Sequence, residues 1–271
     1  MENLIDIDIS NYLSCKLREY SIIKDEIGES PAKVYKLVGS DETLYLKYSQ
    51  KKLKMTTYCV HREMEVMKWL NGKINVPKIV FYENYQENDY MLMTVIKGTM
   101  LEECDLSHSS YIKYIVKALK ELQSIDIKDC PFESNIDFRL TELRYLIENE
   151  LCDMTLINNW DELKEFSELE GDFSSAEELY TWLCDNKPKE DFVFSHGDIG
   201  GSNIFLNKKE IGFIDLGRAG KADKWYDIAF CIRDIREWDN GEKYVDEFFS
   251  LLGIEPDWNK IKYYILLDEL F

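Results

Sequence analysis

Phe194-Ser195-His196-Gly197-Asp198-Ile199-Gly200-Gly201-Ser202-Asn203-Ile204-Phe205 is the stretch around which the rest of the chain is organised. It lies between two short apolar runs, Asp191–Phe194 and Ile204–Leu206. Both read as strands, so the polar residues occupy the loop that joins them. Four residues separate Asp198 from Asn203, and a second aspartate, Asp215, closes the later apolar run Ile211-Gly212-Phe213-Ile214. An Asp, an Asn after four intervening residues and a metal-binding Asp at a later strand end form a pattern suited to phosphoryl transfer. Transfer from ATP needs a hydroxyl aligned with the γ-phosphorus and Mg²⁺ to spread the phosphate charge. Asp198 can accept the hydroxyl proton or orient the hydroxyl. Asn203 and Asp215 offer a neutral and a charged oxygen to a hard cation. Gly197, Gly200 and Gly201 let the loop turn tightly and bring backbone near phosphate. Asp, Asn, Gly and Ser also populate ordinary turns. The addition of Asn203 and Asp215 to the His-Gly-Asp triplet is what sets this loop apart.

Composition narrows the function classes. The 271 residues suffice for one large domain or two lobes. No run approaches the ~18 apolar residues of a membrane span. The acidic start Met1-Glu2-Asn3-Leu4-Ile5-Asp6 lacks the basic region of a signal peptide. Seven scattered cysteines, with no C-x-x-C pair, point to reduced thiols in a cytoplasm. The net charge of −19 argues against nucleic acid and makes a cationic substrate natural, although solubility alone would explain it. Between Glu142 and Glu178 stand twelve acidic residues against two basic ones, Arg144 and Lys164, so over half of the net charge sits there.

Taken from the start, residues 2–20 read as a helix, followed by a strand over Ile22–Ile27 and a turn at Gly28-Glu29-Ser30-Pro31. Strands follow at Ala32–Val38, Thr43–Tyr48, from Val76 to Tyr82 and at Tyr90–Val95, with a helix over His61–Leu70 between them. Lys47 stands in an alternating strand, and Glu63 lies beside the apolar face of the helix. A strand lysine held by a helix glutamate is the phosphate-binding pair of kinases, whereas alone each would be an ordinary exposed residue. Ser30 could donate to a phosphate or simply belong to its turn. Helices follow at about Ser109–Ser124, Asp137–Glu150, Asn159–Leu169 and Ser175–Asn186, with Ser107 and Ser174 as candidate caps. After the catalytic loop, a buried helix begins near Ala222. Asp227 near its start can cap that helix, hold the catalytic loop from below, or do both. Helices near Glu242–Leu252 and Asp257–Leu270 close the chain. Antiparallel strands followed by a mostly helical remainder predict an α+β, two-lobed fold with ATP in the cleft. The first lobe would span residues 1–96 and the second 97–271.

With these residues assembled, the chain resembles the aminoglycoside 3′-phosphotransferases, especially the type III enzymes of Gram-positive bacteria. The resemblance rests on Ser30–Gly39, Leu44-Tyr45-Leu46-Lys47, Val193–Asp198, Gly212–Arg218, Ala222–Cys231 and Leu251–Phe271. It implies a protein-kinase-like fold and ATP-dependent phosphorylation of a drug's 3′-hydroxyl, giving antibiotic resistance. It implies Asp198 as the catalytic residue and Asn203 and Asp215 as the magnesium ligands. Lys47, paired with Glu63, would touch the α- and β-phosphates, as would Ser30. Tyr45 would stack on adenine, framed by Met93 and the Thr94–Ile96 backbone. The cationic substrate would be held by Asp161, Glu162, Glu165, Arg218, Glu237, Glu269 and the terminal carboxylate of Phe271. Trp238 follows Glu237 where type III enzymes have an acidic residue, which points to a different ligand preference. No membrane or nucleic-acid partner is expected, and the enzyme would be a monomer or homodimer. A kinase for another small amine or alcohol on the same fold, or a silent nucleotide binder, are the alternatives.

Overall fold

A computed structural model describes residues 7–25, 30–152, 173 and 175–271. Clustering of contacts divides the chain into two compact units. One comprises Met1–Thr99 with Phe205–Arg218, the other Met100–Ile204 with Ala219–Phe271.

The first unit begins with helix α1 (Asn11–Leu17) and strands β1 (Ser21–Lys24), β2 (Lys33–Val38) and β3 (Thr43–Ser49). Helix α2 (Val60–Leu70), β4 (Ile79–Tyr85) and β5 (Asn88–Thr94) follow. The five strands form one antiparallel sheet in the order β1-β2-β3-β5-β4. Strand side chains alternate between faces, and the register pairs Tyr35 with Leu46 and Leu46 with Leu92. Tyr35, Leu37, Leu44, Leu46, Tyr48, Tyr90 and Leu92 therefore share one face, and Leu13 and Leu17 of α1 pack on it. Burial of each such leucine is worth about 1.5–3 kcal/mol. The opposite face carries Tyr45, Lys47, Met91 and Met93, and α2 meets it through Glu63.

The predicted first helix is shorter than its apolar spacing suggested. Ser10 caps it by accepting the Leu13 N–H at 3.0 Å, so Ile9 lies outside the helix. A serine here satisfies an end donor that the helix itself leaves unpaired. The Tyr90 hydroxyl also donates to the Asp8 carbonyl, tying this segment to the sheet as extended chain. The strand expected over Ile22–Ile27 ends at Lys24, and residues 26–29 lie outside the described residues. β4 begins three residues later than expected, at Ile79.

The chain continues through the two-residue strand β6 (Thr99–Met100), then α3 (His108–Gln123), α4 (Ile136–Glu148) and α5 (Ala176–Asp185). Ser107 caps α3, as read from the sequence, and Asn135 caps α4. The cap of α5 is Ser175, accepting from Glu178 N–H; Ser174 and the helix expected over 159–169 lie outside the described residues. Strand β7 (Phe192–Ser195) leads into the central loop, which ends in β8 (Ile204–Asn207). β8 pairs with β9 (Glu210–Phe213), and β10 (Gly220–Asp223) pairs antiparallel with β7. Helices α6 (Lys224–Arg236), α7 (Gly241–Leu252) and α8 (Trp258–Asp268) complete the chain. The helix expected from Ala222 starts instead at Lys224. Ala222 belongs to β10, and Asp223 caps α6 through the Trp225 N–H at 3.2 Å.

Candidate active site

The catalytic-loop residues are held from within the second unit. Asp227, buried on the first turns of α6, accepts the N–H groups of His196 and Gly197, both at 2.8 Å. Of the roles open to Asp227, it takes the support of the loop, and Asp223 takes the cap. Burial pushes the Asp227 carboxyl above the ordinary aspartate value, against the hydrogen bonds that favour its charge. Gly197 sits at φ +79°, in the left-handed region open to glycine, so the loop turns directly after β7. Asp198 follows, partly exposed. The Asn203 side-chain amide donates to the Asp198 carbonyl at 2.8 Å and to its carboxylate at 3.3 Å. The two residues singled out by spacing are thus brought into contact by one tight loop. With its NH₂ group on Asp198, Asn203 turns its oxygen the other way.

Lys47 is the centre of a separate constellation within the first unit. Its ammonium lies 2.7 Å from Glu63 and 2.7 Å from Asp215. Burial works against this charge, but Asp215 and Glu63 outweigh it and hold the lysine above its ordinary pKa. Glu63 also accepts the Leu216 N–H at 3.3 Å. Asp215 adopts φ +55°, a conformation that costs a non-glycine residue and persists only where neighbours enforce it. Those neighbours include Arg62, whose Nε donates to the Gly217 carbonyl at 2.9 Å. The Asp215 side chain remains 41 % exposed, so it can reach beyond Lys47. An oxygen from a carboxylate and one from an amide are the donors a magnesium ion prefers, and Asp215 and Asn203 fit that chemistry.

Tyr45 and Met93 are directly paired across β3 and β5, half-buried on the face that carries Lys47. Ile96 is buried, and Thr94 accepts the Lys78 N–H through its hydroxyl at 2.9 Å. Ser30 accepts the Ala32 N–H at 3.2 Å, as a turn serine does. Arg218 donates to the Tyr58 hydroxyl at 3.1 Å.

Among the residues proposed for a cationic ligand, Asp161, Glu162 and Glu165 lie outside the described residues. Glu237, just after α6, is exposed. Glu269 follows α8, where burial and Asp268 push its carboxyl up to about 7 against the pull of Arg233. The Phe271 ring lies 3.7 Å from the guanidinium carbon of Arg139, which is fully buried and paired to Glu142 at 2.8 Å. This cation–π contact anchors Phe271. One carboxylate near these groups was absent from the sequence reading. The Asp234 carboxyl, its side chain still 42 % exposed, is pushed up to about 6 by partial burial, opposed by Arg233 and reinforced by Glu237 and Asp198. Its position three residues before Glu237, in the last turn of α6, was the available signal.

The aminoglycoside 3′-phosphotransferase of Enterococcus faecalis is 48 % identical over 267 residues, covering 97 % of this chain and 98 % of that enzyme. A family model described as the phosphotransferase enzyme family matches residues 24–264. The chain belongs to the aminoglycoside 3′-phosphotransferase family. Solved structures agree on the fold. A type VIII aminoglycoside 3′-phosphotransferase gives a TM-score of 0.78 at 23 % identity, covering 96 % of this chain and 97 % of that one. An aminoglycoside phosphotransferase from Streptomyces rimosus, in complex with ADP and streptomycin, gives 0.66 at 19 % identity, covering 90 % and 94 %. This phosphotransferase therefore has the α+β, protein-kinase-like fold expected from its sequence. No helix among its described residues is long and apolar enough to cross a membrane.

Proposed function

We propose that this chain transfers the γ-phosphoryl group of ATP to the 3′-hydroxyl of aminoglycosides and so confers resistance to them. The observation that carries the reading is 48 % identity along 97 % of the chain to an enzyme of that name. The presence of all the phosphoryl-transfer residues supports it. In this reading residues 1–96 supply the nucleotide-binding part and residues 97–271 the catalytic and acceptor-binding part. Asp215 and Arg218 are exceptions, since both contact residues of the first unit.

Asp198 orients the acceptor hydroxyl and receives its proton. Asn203 keeps that carboxylate in place, and Asp227 keeps the loop in place. Lys47 binds the α- and β-phosphates, with Ser30 beside them. Glu63 orients the lysine. Tyr45 and Met93 present an apolar surface to the adenine, and the Thr94–Ile96 backbone meets its edge. Asn203 and Asp215 would hold Mg²⁺, which when bound neutralises charge on the phosphates. Arg218, Glu237, Glu269 and the Phe271 carboxylate bind the acceptor, together with Asp161, Glu162 and Glu165. An aminoglycoside carries several ammonium groups. Exposed ion pairs are worth only about 0–1 kcal/mol each, so a set of carboxylates is needed to select it. ATP supply and the seven free cysteines fit a cytoplasmic enzyme.

A coupled ATP-turnover assay with kanamycin beside an aminoglycoside lacking the 3′-hydroxyl tests the reading. Turnover is expected with kanamycin alone. Turnover with both would move the target hydroxyl. Turnover with neither would favour a kinase for another small amine or alcohol.

The raised carboxyls add a pH dependence. In the free protein Asp234 and Glu269 keep protons that the unfolded chain has released. Both therefore subtract stability as pH rises from about 4 to 7. A bound polycation favours their charged forms and removes that loss. The rise in Tm produced by saturating kanamycin should be larger at pH 7.5 than at pH 6, as read by differential scanning fluorimetry. An equal or smaller rise at pH 7.5 would exclude these carboxylates from the acceptor site.

A further inference from the structure

Tyr111 is a residue that no sequence motif marks. It lies on the first turn of α3, partly buried, beside a small cavity lined by Ile115, Ile199, Gly200, Cys231, Ile235 and the carboxylate of Asp234. Its hydroxyl packs against Gly201, midway between Asp198 and Asn203. The approach is close enough that a Cβ at position 201 would collide with the Tyr111 hydroxyl and come within 3.1 Å of the Glu102 Cβ. On its other side the Tyr111 ring meets Trp238 edge-on, with centroids 5.3 Å apart. Trp238 in turn stacks on His108, at 4.4 Å and 17°. Both ends of the phenol are therefore fixed, one by an aromatic stack and the other by the loop.

Asp227 and Tyr111 hold the same loop at different places. Asp227 takes the N–H groups that precede Asp198, and Tyr111 packs against the turn that follows it. The described hydrogen bonds on the segment between Asp198 and Asn203 all come from within the loop, and Tyr111 braces it from outside by its contact with Gly201. A loop tied only before Asp198 can pivot, and a displacement of the order of 1 Å at a reacting group can cost about 10²-fold in rate. We infer that Tyr111 is a positioning residue for phosphoryl transfer: its hydroxyl fixes the Gly201 turn and thereby the placement of Asp198 relative to Asn203. The inference deepens the proposed function and rests on it for the identity of the acceptor.

The test is Tyr111→Phe in the full-length protein, which keeps the ring against Trp238 and removes only the hydroxyl. Two readouts are taken. Hydrogen–deuterium exchange of the Ile199–Asn203 backbone should speed up on the order of tenfold in the variant, with the other peptides unchanged. Steady-state turnover with ATP and kanamycin should show kcat lowered on the order of tenfold, with KM for ATP unchanged and Tm close to that of the parent. Unchanged exchange at Ile199–Asn203 overturns the inference whatever the turnover. Faster exchange with unchanged kcat overturns the catalytic consequence. A loss of Tm with an unaltered kcat would make Tyr111 a packing residue only. If the parent itself fails to turn over kanamycin, the proposed acceptor is wrong, and the exchange measurement alone decides the role of Tyr111 in the loop.

Discussion

Asp198→Ala is expected to lower kcat with kanamycin by about 10²–10⁴-fold, the range that a positioned general base supplies. The substitution removes the carboxylate that would receive the hydroxyl proton. It leaves the loop frame in place, because Asp227 binds the N–H groups of His196 and Gly197 and Asn203 still donates to the backbone carbonyl of residue 198. Nucleotide affinity, measured by calorimetry with a non-hydrolysable ATP analogue, should change less than threefold. Tm should hold or rise slightly, since Asp198 is one of the charges that raise the Asp234 carboxyl. A variant that keeps parental turnover would remove Asp198 from the catalytic role. A variant that loses nucleotide binding in proportion to turnover would show that the loop, not the chemistry, had failed.

Lys47→Met is expected to cost both activity and stability. The ammonium sits between two carboxylates at 2.7 Å each, and Glu63 is only 2 % exposed. Removing one member of a buried ion pair leaves an uncompensated charge, at a cost of about 3–5 kcal/mol. The sign of the accompanying pH effect follows. Without Lys47, burial and Asp215 both favour protonated Glu63, so its folded pKa lies above its unfolded one. The variant should then lose stability as pH rises, more steeply than the parent. Urea unfolding at several pH values measures this. Adding Glu63→Gln should recover much of the stability by removing the stranded charge, while kcat/KM for ATP stays on the order of 10²-fold below the parent. Recovery of turnover in the double variant would show that Lys47 serves packing alone.

Much of this architecture was legible in the sequence because it depends on short periods. The alternation in Thr43–Tyr48 placed Leu44 and Leu46 opposite Tyr45 and Lys47, and the register of β3 against β2 and β5 follows that alternation. Ser107 announced α3 because capping depends on one side chain and an N–H three residues away. Apolar spacing carries the first helix back through Ile9, whereas Ser10 and the Asp8 contact with Tyr90 fix its start at Asn11. Near Ala222 the difference has a similar source. Apolar periodicity cannot distinguish the last residues of a strand from the first of a helix, and pairing of Ala222 with Val193 decides it.

The sequence by itself determined the class of chemistry, through the spacing of Asp198 and Asn203, the later Asp215 and a lysine in an alternating strand. Those residues sit on one tight loop, just after a strand or within one, where local geometry follows from residue order. Only the tertiary structure decided which partners hold them. Lys47 finds Asp215 across 168 residues of chain, and Gly197 finds Asp227 across 30. The same holds for the Phe271 ring on Arg139 and the Tyr111 hydroxyl at Gly201. Such pairs have no periodicity to betray them. They form because a buried charge or N–H must be matched by whatever the packed chain brings within reach, and that is settled only when the core is complete.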